Sequence, residues 1–299
     1  MQRKIQYHFM EPGEDIALIR LAREGIPKHR TVHIVITVRK KDFRDLIGAT
    51  RLKAALLDFD GTFTRIGKMY SSAMNGKVQY QTGWQELRRK LPPEGHRALD
   101  RHYTLYKRGD ITPLEWLYIS VACYQEYGLT LDDVIATAGS VPFRSGYGEF
   151  IALLNANFKK SFIISFGMKD WIDCRKEFDN FPHQTVASCL LADPKGRITG
   201  VEAGVTEDTK GKVAKKLLRQ NGWKAEEAFA LGNSWHDRHL FEAAGISAYL
   251  SHGGYKGSGI DHAAEIERLR GIATAIIFDD TLCGVNDFMA HVLAKTIPE

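Results

Sequence analysis

The chain has 299 residues, of which 44% are hydrophobic and 26% are charged. These values are typical of globular proteins and exclude a disordered or fibrous chain, and the length suits one catalytic core with an accessory element. The net charge of +5 comes from interspersed acids and bases without a long basic run, so it suits a small anionic substrate as well as a nucleic acid. Lysine pairs such as Lys159-Lys160 are more simply solvated helix ends, which disfavours nucleic-acid binding.

Residues 1–50 predict a β-α-β extension that carries no catalytic motif. Lys4 to Met10 and Thr31 to Val38 have the pattern of strands, and Asp15 to Glu24, which follows Pro12-Gly13, predicts a helix. Three roles remain open for this extension. These roles are a dimerisation element, a small ligand-binding module and the edge of a sheet. The first would make the protein a homodimer.

Residues 51–68 and 146–299 alternate between strand and helix patterns, which predicts an α/β fold built on a doubly wound parallel sheet. The first strand, Ala54 to Asp58, is apolar on both faces, as a central strand of a parallel sheet is before an active-site loop. Helices are predicted over Tyr147 to Asn157 and Lys210 to Asn221. Further strands are predicted over Ser161 to Ser165, Thr185 to Leu191, Ala228 to Leu231, Ser247 to Leu250 and Ala273 to Phe278.

Residues 69–145, here called the insert, lack strand patterns and predict an all-helical domain. The predicted helices are Gly83 to Lys90, Glu94 to Tyr106, Pro113 to Tyr127 and Leu131 to Ala138. Aromatic residues recur at helical spacing, which favours packing inside a helical bundle over stacking on a nucleotide base. These aromatic residues are Tyr103, Tyr106, Trp116, Tyr118, Tyr124 and Tyr127.

Neither membrane insertion nor export is indicated. Met1 to Met10 is polar and basic, and no uncharged apolar run approaches the length of a membrane span. The four cysteines make neither a CxxC pair nor a metal-ligand spacing. The sequence therefore predicts a cytoplasmic protein with reduced thiols.

A pair of carboxylates follows the first apolar strand, in the string Leu56-Leu57-Asp58-Phe59-Asp60-Gly61-Thr62. The glycine permits an abrupt turn, so both acids come at the end of the strand. A second apolar strand ends at Ser165, followed by Gly167. Taken alone, a serine at the end of a strand is more often a turn or helix cap, although its hydroxyl can also donate a hydrogen bond to a ligand.

Lys210 begins a predicted helix in Thr209-Lys210-Gly211-Lys212, 23 residues before Asn233, and the lysines that follow it are more simply the solvated face of that helix. The last motif is the strand Ala228 to Leu231 followed by Gly232, Asn233 and, four residues further, Asp237. Asn233 also suits the N-cap of a helix over Ser234 to Ala244. His236 is more simply an exposed histidine than a metal ligand.

These motifs, in this order, resemble those of the haloacid dehalogenase superfamily of phosphohydrolases. The resemblance implies a Rossmann-like core, a helical cap formed by the insert, and an aspartyl-phosphate mechanism with Asp58 as nucleophile and Asp60 as general acid/base. It assigns Thr62, Ser165, Gly167 and Lys210 to the substrate phosphate. It assigns Asp58, Asp60, Asn233 and Asp237 to Mg²⁺, a hard cation that prefers oxygen ligands.

Asn233 stands where the superfamily has an aspartate. An amide oxygen can coordinate Mg²⁺ without contributing charge, so metal binding is expected to be weaker. A tolerated natural variant, a weakened or inactive binding module, and an introduced substitution remain open.

The helical insert and the spacing of the last two motifs resemble the phosphoserine phosphatase branch. The expected substrate is a small phosphorylated metabolite. Gly67 stands where that branch places a glutamate for the substrate amino group, so a phosphatase that resembles the pyrimidine 5′-nucleotidases is the alternative.

Overall fold

The computed structural model describes residues 4–9, 17–22, 32–37, 51–71, 76–80, 82–251 and 262–294. In chain order its strands are β1 Lys4–Phe9, β2 Ala17–Ala22, β3 Val32–Ile36, β4 Ala54–Leu57, β5 Gly67–Ser71, β6 Gly76–Tyr80, β7 Lys160–Met168, β8 His183–Ala192, β9 Ile198–Glu202, β10 Ala228–Gly232, β11 Ile246–Ser251 and β12 Ala275–Phe278. Its helices are α1 Gly83–Arg88, α2 Pro93–Arg108, α3 Pro113–Glu126, α4 Leu131–Ala138, α5 Tyr147–Asn157, α6 Lys169–Asp173, α7 Lys210–Gln220, α8 Arg238–Phe241, α9 His262–Leu269 and α10 Cys283–Ala294.

One large sheet carries the fold, with its described strands in the order β1-β2-β3-β12-β11-β10-β4-β7-β8-β9. Neighbouring strands from β12 through β8 are parallel, while β9 and the three N-terminal strands are antiparallel to their neighbours. The predicted doubly wound α/β core is confirmed. The sequence did not predict β9, α6, α9 or α10.

Strand β4 shows why the sheet is covered on both faces. Ala54 and Leu56 pack into one apolar cluster with residues of α7 and α8, whereas Ala55 and Leu57 pack into the other, which includes residues of α5 and α10. All four side chains are 0% exposed. Burying one leucine side chain contributes about 1.5 to 3 kcal/mol, so β4 is held from both sides.

The N-terminal segment corrects the prediction of a β-α-β extension. The helix predicted over Asp15 to Glu24 is wrong, because Ala17–Ala22 forms β2 between β1 and β3. A short apolar run has no period that separates a helix from a strand, and pairing on both sides satisfies its backbone groups. Since β3 pairs with β12, the segment extends the edge of the sheet.

The insert contains α1 to α4, as predicted. An antiparallel hairpin of β5 and β6 precedes them; it begins at Gly67, before the predicted start of the insert, and the sequence did not predict it. Three helices of the insert begin with a capping box. In each, a threonine hydroxyl accepts a hydrogen bond from the backbone amide three residues later, and the side chain of that later residue accepts one from the threonine amide. The capping threonines are Thr82, Thr112 and Thr130.

The two linkers of the insert run side by side. Thr64 and Phe143 form an isolated antiparallel bridge. The Arg65 amide donates to the Pro142 carbonyl at 3.0 Å, and the Arg144 amide donates to the Phe63 carbonyl at 2.7 Å. The chain therefore leaves and re-enters the core through one paired crossing.

No helix in the described parts of the chain is long and apolar enough to span a membrane. The four cysteines all have free thiols.

Candidate active site

The turn after β4 places two carboxylates at the carboxyl edge of the sheet. The Asp58 amide donates to the Leu231 carbonyl at 2.9 Å, which ties the turn to β10. Gly61 has a φ of 82°, a conformation that favours glycine, and its carbonyl accepts a 2.8 Å bond from Arg144 Nε. Phe59 is fully buried, with its ring 5.6 Å from that of Trp171. The carboxylates of Asp58 and Asp60 thus stand on a rigid turn.

Lys210 joins two of the predicted site carboxylates. Its Nζ donates to Asp58 Oδ1 at 2.5 Å and to Asp237 Oδ1 at 2.6 Å. All three residues are at most 5% exposed. Burial acts to lower the pKa of Lys210, but the charges of Asp237 and Asp58 outweigh it and hold that pKa above its ordinary value. The ammonium is therefore charged, and it offsets the two negative charges beside it.

Asp237 organises the turn that follows β10. Its Oδ2 accepts bonds from the Asn233 amide at 3.0 Å, the Ser234 amide at 3.0 Å and Ser234 Oγ at 2.9 Å. Burial opposes ionisation of Asp237, but Lys210 and these donors lower its pKa. Ser234, and not Asn233, caps the short 3₁₀ turn over Trp235–Asp237, so the predicted N-cap at Asn233 is wrong.

Gly232 is required where this turn leaves the strand. A Cβ atom at that position would lie 2.6 Å from Asp237 Cγ, a distance that real contacts do not reach. The absence of a side chain therefore lets Asp237 fold back against the strand end and reach Lys210.

Asn233 and Asp58 bring oxygen atoms to the same hydroxyl. Thr62 Oγ1 lies 2.8 Å from Asn233 Oδ1 and 3.1 Å from Asp58 Oδ2, and its single proton is donated to one of them at a time. A carboxylate and an amide oxygen held this close are hard donors of the kind that Mg²⁺ accepts, so the residues fit the ion. Among the described residues, no group of three or more acidic, histidine or cysteine side chains could hold a metal ion.

The acids differ from ordinary aspartates in their protonation. Burial, with a contribution from the charge of Asp237, raises the pKa of Asp58 to about 6 although Lys210 opposes the rise. Burial and the charge of Asp58 raise the pKa of Asp60 to about 7, against the backbone amide of Gly83. A carboxyl with that pKa can both give and take a proton near neutral pH, as a general acid/base must.

Ser165 and Gly167 lie beside this pair. Ser165, at 1% exposure, is on β7, and its Oγ accepts a 3.0 Å bond from the Gly167 amide. A Cβ atom on Gly167 would lie 3.1 Å from Ser165 Oγ and 3.3 Å from Asp60 Oδ2. The structure thus brings the predicted residues of the second motif against Asp60.

A cavity of about 360 Å³ lies between these residues and the insert. Four of the six aromatic residues predicted as bundle core line this cavity: Tyr103, Tyr106, Trp116 and Tyr124. Tyr106 and Trp116 are stacked with their ring centroids 6.0 Å apart. Tyr118 is 49% exposed, so the bundle-core interpretation is wrong for that residue. The insert therefore contributes several aromatic rings to the cavity wall.

Comparison with known proteins identifies the fold. No family model and no curated protein matches the chain. A probable phosphoserine phosphatase from Vibrio cholerae is similar at a TM-score of 0.59 and 17% identity, over 88% of this chain and 69% of that one. Cytosolic 5′-nucleotidase IIIB bound to cytidine is similar at a TM-score of 0.58 and 15% identity, over 86% of this chain and 89% of that one. A HAD family hydrolase from Salmonella enterica is similar at a TM-score of 0.55 and 15% identity, over 68% of this chain and 63% of that one.

The chain has the haloacid dehalogenase fold. Within that fold, the structure gathers Asp58, Asp60, Thr62, Ser165, Gly167, Lys210, Asn233 and Asp237 at one edge of the sheet. The catalytic and metal-binding roles given to them remain predictions.

Sequence reasoning missed one polar cluster at this site. The Tyr106 hydroxyl donates to Glu207 Oε1 at 2.7 Å, and His236 Nδ1 lies 2.7 Å from Glu207 Oε2. Burial opposes ionisation of Glu207, but the bonds from His236 and Tyr106 lower its pKa. The three residues are too far apart in the chain for a local pattern to have revealed them.

Proposed function

We propose that this chain is a Mg²⁺-dependent phosphomonoester hydrolase of the cytoplasm that acts on a small phosphorylated metabolite through an aspartyl-phosphate on Asp58. The observation that carries the proposal is the pairing of two acids at the cavity floor. Asp58 is held by Lys210 at 2.5 Å, and beside it Asp60 has a pKa of about 7. A nucleophile and a proton donor therefore stand together.

The proposed reaction has two displacements. An Asp58 oxygen attacks phosphorus, the bond from phosphorus to the leaving oxygen breaks, and Asp60 gives its proton to that oxygen. Water then attacks phosphorus, Asp60 takes the water proton, and the bond between Asp58 and phosphorus breaks to release phosphate. Lys210 offsets the repulsion between the nucleophile and the phosphate, and the Ser165 hydroxyl is suited to donate to a phosphoryl oxygen.

The Asp58 carboxylate, the Asp60 backbone carbonyl and the Asn233 amide oxygen would hold Mg²⁺, with Asp237 acting nearby through water. The ion would neutralise charge on the phosphate.

The test is release of phosphate from p-nitrophenyl phosphate with Mg²⁺. Asp58→Asn is expected to lower the rate by about 10⁴-fold or more, the scale seen when a covalent nucleophile is removed. The matched control is Asp110→Asn, an exposed aspartate just after α2, which should change the rate by less than about twofold. Acid-quenched turnover of labelled substrate should leave phosphate on the wild-type protein and none on Asp58→Asn. An Asp58→Asn enzyme with wild-type activity would refute the mechanism.

A nucleotide phosphatase is the second candidate, favoured by the aromatic wall of Tyr103, Tyr106 and Trp116. Base stacking on such rings is worth about 1 to 3 kcal/mol per base. The structural similarity to the nucleotidase bound to cytidine also supports the nucleotide phosphatase hypothesis. A screen of phosphorylated metabolites decides between the candidates, since a preference for pyrimidine 5′-nucleotides over phosphoserine favours the nucleotidase.

A binding or regulatory module is the remaining alternative, and Asn233 motivates it. Asn233→Asp adds a charged ligand, and we expect the Mg²⁺ concentration for half-maximal activity to fall by about tenfold. If the wild type is inactive and Asn233→Asp hydrolyses the aryl phosphate, the natural chain is the non-catalytic module.

A further inference from the structure

Glu207 connects the insert to the core at the edge of the cavity. It lies in the turn before α7, where the Thr206 amide donates to Thr209 Oγ1 at 2.8 Å and the Lys210 amide donates to the Thr206 carbonyl at 3.2 Å. Two hydrogen bonds therefore hold Thr206, at the start of this turn, to the residues at the start of α7. From this turn, the carboxylate of Glu207 reaches α2 of the insert through the Tyr106 hydroxyl at 2.7 Å.

The other oxygen of Glu207 reaches the turn after β10. His236 Nδ1 lies 2.7 Å from Glu207 Oε2, and His236 directly precedes Asp237. Asp237 in turn bonds to Lys210 and to the amides of Asn233 and Ser234. One carboxylate thus links the insert to the segment that holds the site lysine.

Tyr106 is itself fixed within the insert. Its ring stacks on Trp116, and Lys107 Nζ lies 5.9 Å from the ring centroid. The hydroxyl that donates to Glu207 therefore belongs to a packed side chain, and this hydrogen bond joins α2 to the core.

We propose that Glu207 is a positioning residue that, through Tyr106 and His236, latches the insert over the cavity and fixes residues 233–237 beneath it. This latch rests on the proposed function, because fixing those residues matters for catalysis only if Asp58 is the nucleophile. It uses three residues to which the proposed chemistry gives no step.

The sharpest perturbation is Tyr106→Phe, which removes the hydroxyl and keeps the ring. Hydrogen bonds to charged groups shift an equilibrium by about 10- to 100-fold, and the partial exposure of Glu207 and His236 places this one near tenfold. The matched control is Tyr118→Phe, because Tyr118 lies on α3 of the same insert, is 49% exposed and does not line the cavity.

Two measurements are made on each full-length variant. Hydrogen-exchange mass spectrometry without substrate should show exchange about tenfold faster for residues 233–237 in Tyr106→Phe and unchanged in Tyr118→Phe. Steady-state kinetics on p-nitrophenyl phosphate should show kcat lower by about tenfold in Tyr106→Phe with KM within about threefold, since the bond orients the site and does not bind substrate. Glu207→Gln should change both quantities in the same direction.

Faster exchange and lower kcat in Tyr106→Phe, with Tyr118→Phe like the wild type, support the latch. Equal exchange in the two tyrosine variants, or an effect confined to KM, overturns it. If the wild type hydrolyses no phosphate ester, the proposed function fails while the exchange measurement still decides whether the latch exists.

Discussion

Replacing Lys210 with methionine removes the ammonium that Asp58 and Asp237 share, while keeping most of the side-chain volume. Both carboxylates are buried, and the bonds they lose are 2.5 and 2.6 Å long. Removing one partner of a buried ion pair costs about 3 to 5 kcal/mol. Because two carboxylates depend on the same ammonium, we expect the upper half of that range for the loss in free energy of unfolding.

The loss should depend on pH, and its sign follows from the carboxylates. Lys210 lowers the pKa of both Asp58 and Asp237 in the wild type, so both pKa values rise in Lys210→Met. A folded state with raised carboxyl pKa values binds protons more tightly than the unfolded chain, so lowering the pH through those values stabilises it. The difference between wild type and variant should therefore shrink between about pH 8 and pH 5.5.

Urea unfolding at both pH values measures this difference. Lys212→Met is the matched control, because Lys212 lies on the same helix and is exposed, and its loss should stay within about 0.5 kcal/mol. A Lys210→Met loss below about 1 kcal/mol at the higher pH would refute the reasoning, as would a loss that grows on acidification.

Two further predictions concern activity. The pH dependence of kcat/KM should be bell-shaped, because Asp58 must be ionised and Asp60 protonated in the free enzyme. The pKa of Asp58, about 6, sets the acid limb, and the pKa of Asp60, about 7, sets the basic limb. Bound Mg²⁺ would move the acid limb to lower pH. A rate that rises steadily above pH 8 would contradict the role of Asp60. Gly232→Ala should lower kcat at least about 100-fold, because the new Cβ displaces Asp237. The control Gly200→Ala places its Cβ in ordinary contact 3.6 Å from Leu191 Cδ1 and should keep wild-type activity.

Much of the core could be predicted because its signals are local. The run from Ala54 to Leu57 is apolar at every position, which marks a strand buried on both faces. The capping threonines Thr82, Thr112 and Thr130 stand within the sequences of their own helices. The proximity of Asp58 and Asp237 also follows from motif order, because both come shortly after parallel strands, which bring their carboxyl ends to one edge. Lys210 begins α7 and is placed beside them by the packing of that helix against the sheet.

The remainder depends on contacts between distant residues. Ala17–Ala22 becomes a strand because β1 and β3 flank it, and no local period distinguishes that outcome from a helix. In the hairpin of β5 and β6, the apolar alternation is limited to Val78 and Tyr80 of β6, which is too short to predict a strand by itself. The link from Tyr106 to Glu207 joins residues 101 positions apart. Such contacts are set by the assembled fold.

The paired crossing at Thr64 and Phe143 bears on how this protein could have acquired or changed its insert. The two ends of the insert are paired with each other, so the insert is a loop that is closed where it leaves the core. The entropy of closing such a loop grows only logarithmically, by about 0.6 kcal/mol for each doubling of its length. Segments of quite different length could therefore be exchanged at this crossing while the sheet and its acids keep their positions. Exchange of the insert during evolution could then change the residues that line one side of the cavity, while the acids at the edge of the sheet stay the same.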